Sequence, residues 1–192
     1  MVTDFALHTE VDWTVDELTI LPDEFRCELV HGRLELQQRA PLAELAGLAV
    51  MAALKLSCPT GFRVVPRPPE WWDVPPVPDV VVKGPGESGG VLLAVDVVEP
   101  GRNFAAMLAR MRAYEASAVP LCWVVEVRGR FGAELTVFRA AAGGELVAEL
   151  TTSEVFVAEE SFAAVVDLPA MLRRWPETFE YVESRQLLPD PQ

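Results

Sequence analysis

The sequence predicts an α/β fold: a central mixed β-sheet flanked by helices, with an added β-hairpin region near the C-terminus. Three observations predict it. Val91–Val98 and Leu121–Val127 are apolar runs of strand length, the pattern of strands covered on both faces. The segment between them breaks at Pro100, Gly101 and Asn103 and then reads as a helix to about Ser117. Strand, helix and strand form a βαβ unit, so the two strands are expected to be parallel with a right-handed crossover. Finally, residues 26–30 with 33–38, and 134–139 with 145–150, are strand pairs separated by short glycine-containing turns, at His31-Gly32 and Gly143-Gly144, as in hairpins.

Taken in order, Thr14 and Glu17 have capping-box spacing ahead of a short helix at about 14–21, which Leu21-Pro22-Asp23 ends. The first hairpin follows, with Glu28 in its first strand. Pro41 suits the first turn of a helix over about 42–57. That helix is apolar almost all round and is expected to be buried against the sheet. Residues 62–66 read as a strand. Residues 67–78 are too rich in proline for a central strand or a helix. Val77 to Lys83 is another short apolar strand, with Asp79 at its entrance, and a glycine-rich connector leads from it to Val91. In the helix of the βαβ unit, Phe104, Met107, Leu108, Met111 and Tyr114 lie on or near one face. Residues 154–158 suit a short strand, and Asp167-Leu168-Pro169 opens a last helix over about 168–174.

The length, 192 residues, suits one domain, with a core over about 13–172 and a tail over 173–192. No apolar run reaches the ~18 residues of a membrane span, and the acidic N-terminus does not look like a signal peptide, so a soluble, cytoplasmic protein is expected. Cys27, Cys58 and Cys122 lie in or beside apolar segments without CxxC spacing, as buried thiols do. The net charge of −13, with Lys55 and Lys83 the only lysines, counts against strong non-specific binding to nucleic acid.

Asp96 interrupts an otherwise apolar strand, and a buried carboxylate is costly unless a cation or hydrogen-bond donors satisfy it. If the strands bearing Asp79 and Asp96 are neighbours, their carboxylates converge, and a cation between them would relieve the repulsion. Aspartate oxygens with few histidines suit Mg²⁺ or Mn²⁺ better than zinc. Glu28 and Glu99 are further acids, and Arg110, on the helix that follows, is a candidate cation. Each has a plainer reading. Asp79 also suits a turn cap, Asp96 a structural pair with an arginine, Glu28 a solvent-facing strand position, Glu99 a strand end and Arg110 a helix surface. Trp71 and Trp72 suit base stacking, although such aromatics more often fold back on the core. His8 and His31 read as surface or turn residues. No nucleophile elbow or phosphate-binding glycine motif is present.

Four segments together resemble a known family: WTVDELTILPDEFRCELVHGRL at 13–34, VPDVVV at 77–82, LLAVDVVEPGRN at 92–103 and RMRAYEASAVPLCWVV at 110–125. Over about 13–172 the chain resembles the bacterial putative restriction endonuclease family of the PD-(D/E)xK nuclease superfamily. The resemblance implies a restriction endonuclease-like core and Mg²⁺- or Mn²⁺-dependent hydrolysis of nucleic acid, with DNA the expected substrate, by a protein that is often a homodimer. It places the family's first acid on Glu28, the aspartate of the PD motif on Asp79 and the second metal-binding acid on Asp96. The ion would be held by Asp79, Asp96 and the Val97 carbonyl, with Glu28 assisting. The family's helix lysine falls on Arg110.

The chain departs from that pattern in several places. Asp96 stands for the usual glutamate, Val98 for a lysine, Glu99 for a serine, Ala106 for an aspartate and Arg110 for the helix lysine. An arginine stays protonated and cannot act as a general base. The sequence therefore leaves three functions open: a metal-dependent endonuclease, a catalytically degenerate binding or assembly module, and a hydrolase of a small phosphorylated substrate.

Overall fold

The computed structural model describes the backbone of residues 25–30, 33–38, 41–68, 77–86, 89–98, 104–128, 132–159 and 163–173; of residues 25–38, 41–42, 104–106 and 172–173 it describes no side chain. The expected helix at 14–21, the His31-Gly32 turn, Glu99, Trp71, Trp72 and both histidines lie outside the described residues.

A six-stranded sheet forms the centre. Its strands are β3 (Arg63–Pro66), β4 (Val80–Lys83), β5 (Val91–Val98), β6 (Leu121–Val127), β7 (Ala133–Ala140) and β8 (Leu146–Thr152), in that spatial order. Only β5 and β6 are parallel within it, so the sheet is mixed. Helix α2 (Phe104–Ala116) joins these two strands, which makes the expected βαβ unit. The β7–β8 hairpin turns through Gly144, whose φ of 90° suits a residue without a Cβ. Near the C-terminus β9 (Val155–Ala158) and β10 (Ala164–Asp167) form the extra antiparallel hairpin. Its second strand has no counterpart in the sequence reading. β1 (Phe25–Val30) and β2 (Arg33–Gln38) form a separate antiparallel pair in which Glu28 stands opposite Glu35.

Alternation along the strands divides the core in two. One face of the sheet presents Val80, Val82, Leu93, Val95, Val97, Trp123 and Leu135 to α1 (Pro41–Ser57) and the β9–β10 hairpin. Pro41 is the first residue of α1, where its missing N–H costs no helical bond. Gly47 of α1 lies over β5, where a Cβ would make an ordinary van der Waals contact with Val97 Cγ2 at 3.7 Å. Trp123 meets Phe156 edge to face, with centroids 5.2 Å apart. The other face presents Ala94, Val98, Cys122 and Val124 to Met111 and Tyr114 of α2.

α1 packs against the sheet as expected, whereas α2 differs from its expected pattern. α1 is buried on one side only, by Ala46, Val50 and Leu54, while Leu48 and Leu56 are exposed. A single sheet face can cover only one side of a helix, whatever the far side carries. In α2, Leu108 is exposed, and the inward positions are Met107, Arg110, Met111 and Tyr114. An arginine occupies an expected leucine's place because Asp96 lies beneath it.

Candidate functional site

Asp96 is the sixth residue of β5, and alternation turns it toward α2 with Ala94 and Val98. It is fully buried. α2 returns over this face of the sheet, and its helical spacing puts Arg110 and Tyr114 one turn apart above the carboxylate. Arg110 Nη2 donates to Asp96 Oδ1 at 2.6 Å, and its Nε donates to Oδ2 at 2.9 Å. This is the two-pronged guanidinium–carboxylate pairing that arginine geometry favours. The Tyr114 hydroxyl donates to Oδ2 at 2.8 Å. Arg110 Nη2 also donates to the Val77 carbonyl at 2.9 Å, which ties α2 to the segment entering β4. Arg110 is itself 3 % exposed.

Asp79 directly precedes β4, whose first residue, Val80, pairs with Val95, the neighbour of Asp96 on β5. The two expected acids therefore belong to neighbouring strands, Asp79 at the entrance of β4 and Asp96 within β5. Asp79 is partly exposed, and its Oδ2 accepts the Val97 N–H at 2.8 Å. Its backbone continues the sheet edge, with its N–H donated to the Val95 carbonyl and its carbonyl accepting the Arg67 N–H, both at 2.9 Å. Asp79 thus also acts as a local cap at the strand's entrance. The side chain of Glu28 lies outside the described residues.

Burial pushes the Tyr114 hydroxyl well above the ordinary tyrosine range, and the neighbouring Asp96 charge adds to it. Cys122, on β6 beneath the same helix, is raised for the same two reasons, burial first. A buried neutral thiol is a poor nucleophile.

The donor set at Asp96 bears on the ion that the family resemblance implies. Both Asp96 oxygens already accept from a guanidinium, a permanent cation. A divalent ion at Asp96 would have to displace Arg110 from that pair and from Val77, or else stand beside its charge. The arrangement does not fit a metal ion bound at Asp96. Among the described residues, no group of three or more histidine, cysteine, aspartate or glutamate side chains is placed to hold a metal. No described helix is long and apolar enough to cross a membrane.

Sequence reasoning reached Asp79, Asp96 and Arg110 but gave Tyr114 no role beyond packing, and the Val77 carbonyl none. The signal for Tyr114 was its place four residues after Arg110, on the side of the helix that must face a buried acid. The surface reading of Arg110 is corrected, because the acid on β5 draws it into the core.

No protein-family model matches the chain, and no curated protein matches it. Its structure is similar to the crystal structure of "a putative nuclease belonging to DUF820 from Anabaena variabilis ATCC 29413", with a TM-score of 0.45 and 14 % identity over 84 % of this chain and 92 % of that chain. So distant a likeness assigns no role to any residue.

Proposed function

We propose that the chain is a nuclease-like protein in which Asp96 has become part of a structural ion pair with Arg110, and that it acts as a binding or assembly module rather than as a catalyst. One observation carries this reading. The Asp96 carboxylate is fully buried, and both its oxygens are engaged by Arg110. A nuclease needs an acid at this place to be available to an ion, and the guanidinium takes that part without supplying a base. The net charge of −13 supports the same reading, since it opposes approach to a phosphate backbone.

A second reading is the Mg²⁺- or Mn²⁺-dependent endonuclease that the sequence resemblance implies. The pairing of β4, which Asp79 directly precedes, with β5, which carries Asp96, favours it. It requires Arg110 to leave the carboxylate.

Cleavage of single- and double-stranded DNA and RNA in Mg²⁺ and in Mn²⁺ separates the two, with wild type, Asp96→Ala and Arg110→Lys prepared identically. The module reading expects wild type to be no more active than Asp96→Ala. Activity in wild type that Asp96→Ala abolishes would establish the endonuclease instead. Activity gained only in Arg110→Lys would identify the arginine as the change that silences the site.

A further inference from the structure

The β9–β10 hairpin is apolar on both faces. Phe156, Ala158, Ala164 and Val166 turn into the core. Val155, Val157 and Val165 turn outward and are 51 %, 53 % and 51 % exposed. Val157 stands opposite Val165 in the antiparallel register, and Val155 lies two residues along the same strand, so the three valines form one patch. The solvated face of an antiparallel pair normally carries polar residues.

The backbone of β9 points to a partner. In an antiparallel ladder, successive residues turn their N–H and C=O groups alternately toward the neighbouring strand and away from it. The Val165 N–H leaves the ladder and donates to Ser57 Oγ of α1 at 3.5 Å. Its opposite number, Val157, therefore also turns its N–H and C=O away from β10, and so does Val155. α1 closes the outer edge of β10, whereas among the described residues no backbone group beyond the hairpin pairs with Val155 or Val157. Exposed edges are usually blunted by lysine, proline or a bulge, and β9, Val-Phe-Val-Ala, has none of these. Glu154 and Glu159 flank the strand, both exposed and neither held in an ion pair among the described residues.

We infer that β9 is a docking edge for an extended segment of another protein, apolar in its middle and basic at its ends. The segment adds a third strand to the hairpin, its backbone bonding the outward N–H and C=O groups of Val155 and Val157. Its apolar side chains lie beside the exposed valines. Its basic ends meet Glu154 and Glu159, which are about 17 Å apart along an extended chain. Charge selects this occupant. The net charge of −13 attracts a basic segment, while a second copy of β9 would bring the same glutamates against one another. The hairpin packs on the side of the sheet away from Asp96, so the inference does not depend on the state of that carboxylate.

Hydrogen exchange followed by nuclear magnetic resonance tests it on the whole chain. The probe is the end-blocked hexapeptide Lys-Thr-Val-Thr-Val-Lys, and Glu-Thr-Val-Thr-Val-Glu is the control. Laid antiparallel, the probe sets its valines beside Val157 and Val155 and its lysines beside Glu159 and Glu154. The Val155 and Val157 amides should exchange fast in the protein alone and slow by about tenfold or more with the lysine peptide, but not with the glutamate peptide. Val157→Pro removes an outward N–H without breaking the ladder to β10, and should abolish binding with an unchanged circular dichroism spectrum. E154K/E159K reverses two exposed charges, so it should weaken binding of the lysine peptide by about tenfold and favour the glutamate peptide instead. That exchange of preference tests the proposal even if Val157→Pro fails to fold. Val155 and Val157 amides already protected in the monomer would assign the edge to the chain itself, and amides protected only as a dimer forms would assign it to a second copy. Either result would overturn the proposal. So would a wild type whose amides the lysine peptide leaves unprotected, or one that binds both peptides alike.

Discussion

In a space with almost no solvent, Arg110 donates two hydrogen bonds to Asp96 and one to the Val77 carbonyl among the described residues. Removing one partner of such a pair leaves the other charged and buried, which typically costs ~3–5 kcal/mol. Arg110→Met is therefore expected to lower the thermal midpoint by about 10 °C or more for a chain of this size. The paired change Asp96→Leu with Arg110→Met removes both charges and should cost much less than either change alone. Urea melts of the two single variants and the double variant check this. A double variant as unstable as the sum of the singles would refute the coupling. Tyr114 gives the site a pH dependence. Its folded pKa is raised, chiefly by burial, so the neutral hydroxyl is the form that the fold prefers. The stability linked to it is fully present below about 10, the ordinary tyrosine value, and is lost as pH rises through the raised value. Cys122 acts in the same direction from its ordinary value of 9.0 upward. Melts across the alkaline range should show stability falling more gently in Tyr114→Phe than in wild type, and parallel curves would speak against a titrating Tyr114.

At the scale of elements, the βαβ unit was legible because two apolar runs of strand length flank a segment with helix-breaking residues at its start. The faces of its helix were less legible. Apolar residues alone suggested an inward Leu108, whereas the structure turns Arg110 inward and leaves Leu108 at the surface. The deciding interaction lies between elements, and a helical pattern read in isolation does not contain it. α1 illustrates the converse, since its apolar outer face looks the same in sequence as a buried one. The end of α2 offers a further test. Ala118 has a φ of 52°, and the Val119 N–H returns to the Tyr114 carbonyl at 3.0 Å, closing the last turn. Glycine adopts this conformation without the Cβ penalty, so Ala118→Gly should stabilise the chain by about 1 kcal/mol. Differential scanning calorimetry should record a rise in midpoint of about 2–4 °C. No rise, or a fall, would mean that the turn carries no strain to relieve.

At the scale of the whole molecule, the sheet separates a larger core under α1 and the β9–β10 hairpin from a smaller one under α2. The candidate site belongs to the smaller core. Its two acids were legible in sequence because carboxylates at the entrance and in the middle of apolar strands need a physical reason. Their final partners were not, because metal coordination and ion pairing solve the same electrostatic problem and leave the same residues in the sequence. The β10 strand was missed because Ala164–Asp167 is too short to show a period and is held by pairing with β9. The Arg110–Asp96 pair gives one solution to that problem, and a Mn²⁺ titration followed by electron paramagnetic resonance tests it most directly. Wild type and Asp79→Asn would be compared, because the second variant removes one acid while leaving the buried pair in place. With Arg110 as the cation of the site, the two proteins should show the same weak, unsaturable Mn²⁺ association expected of an acidic surface. A stoichiometric Mn²⁺ site in wild type that disappears in Asp79→Asn would contradict this and restore the acids to metal binding.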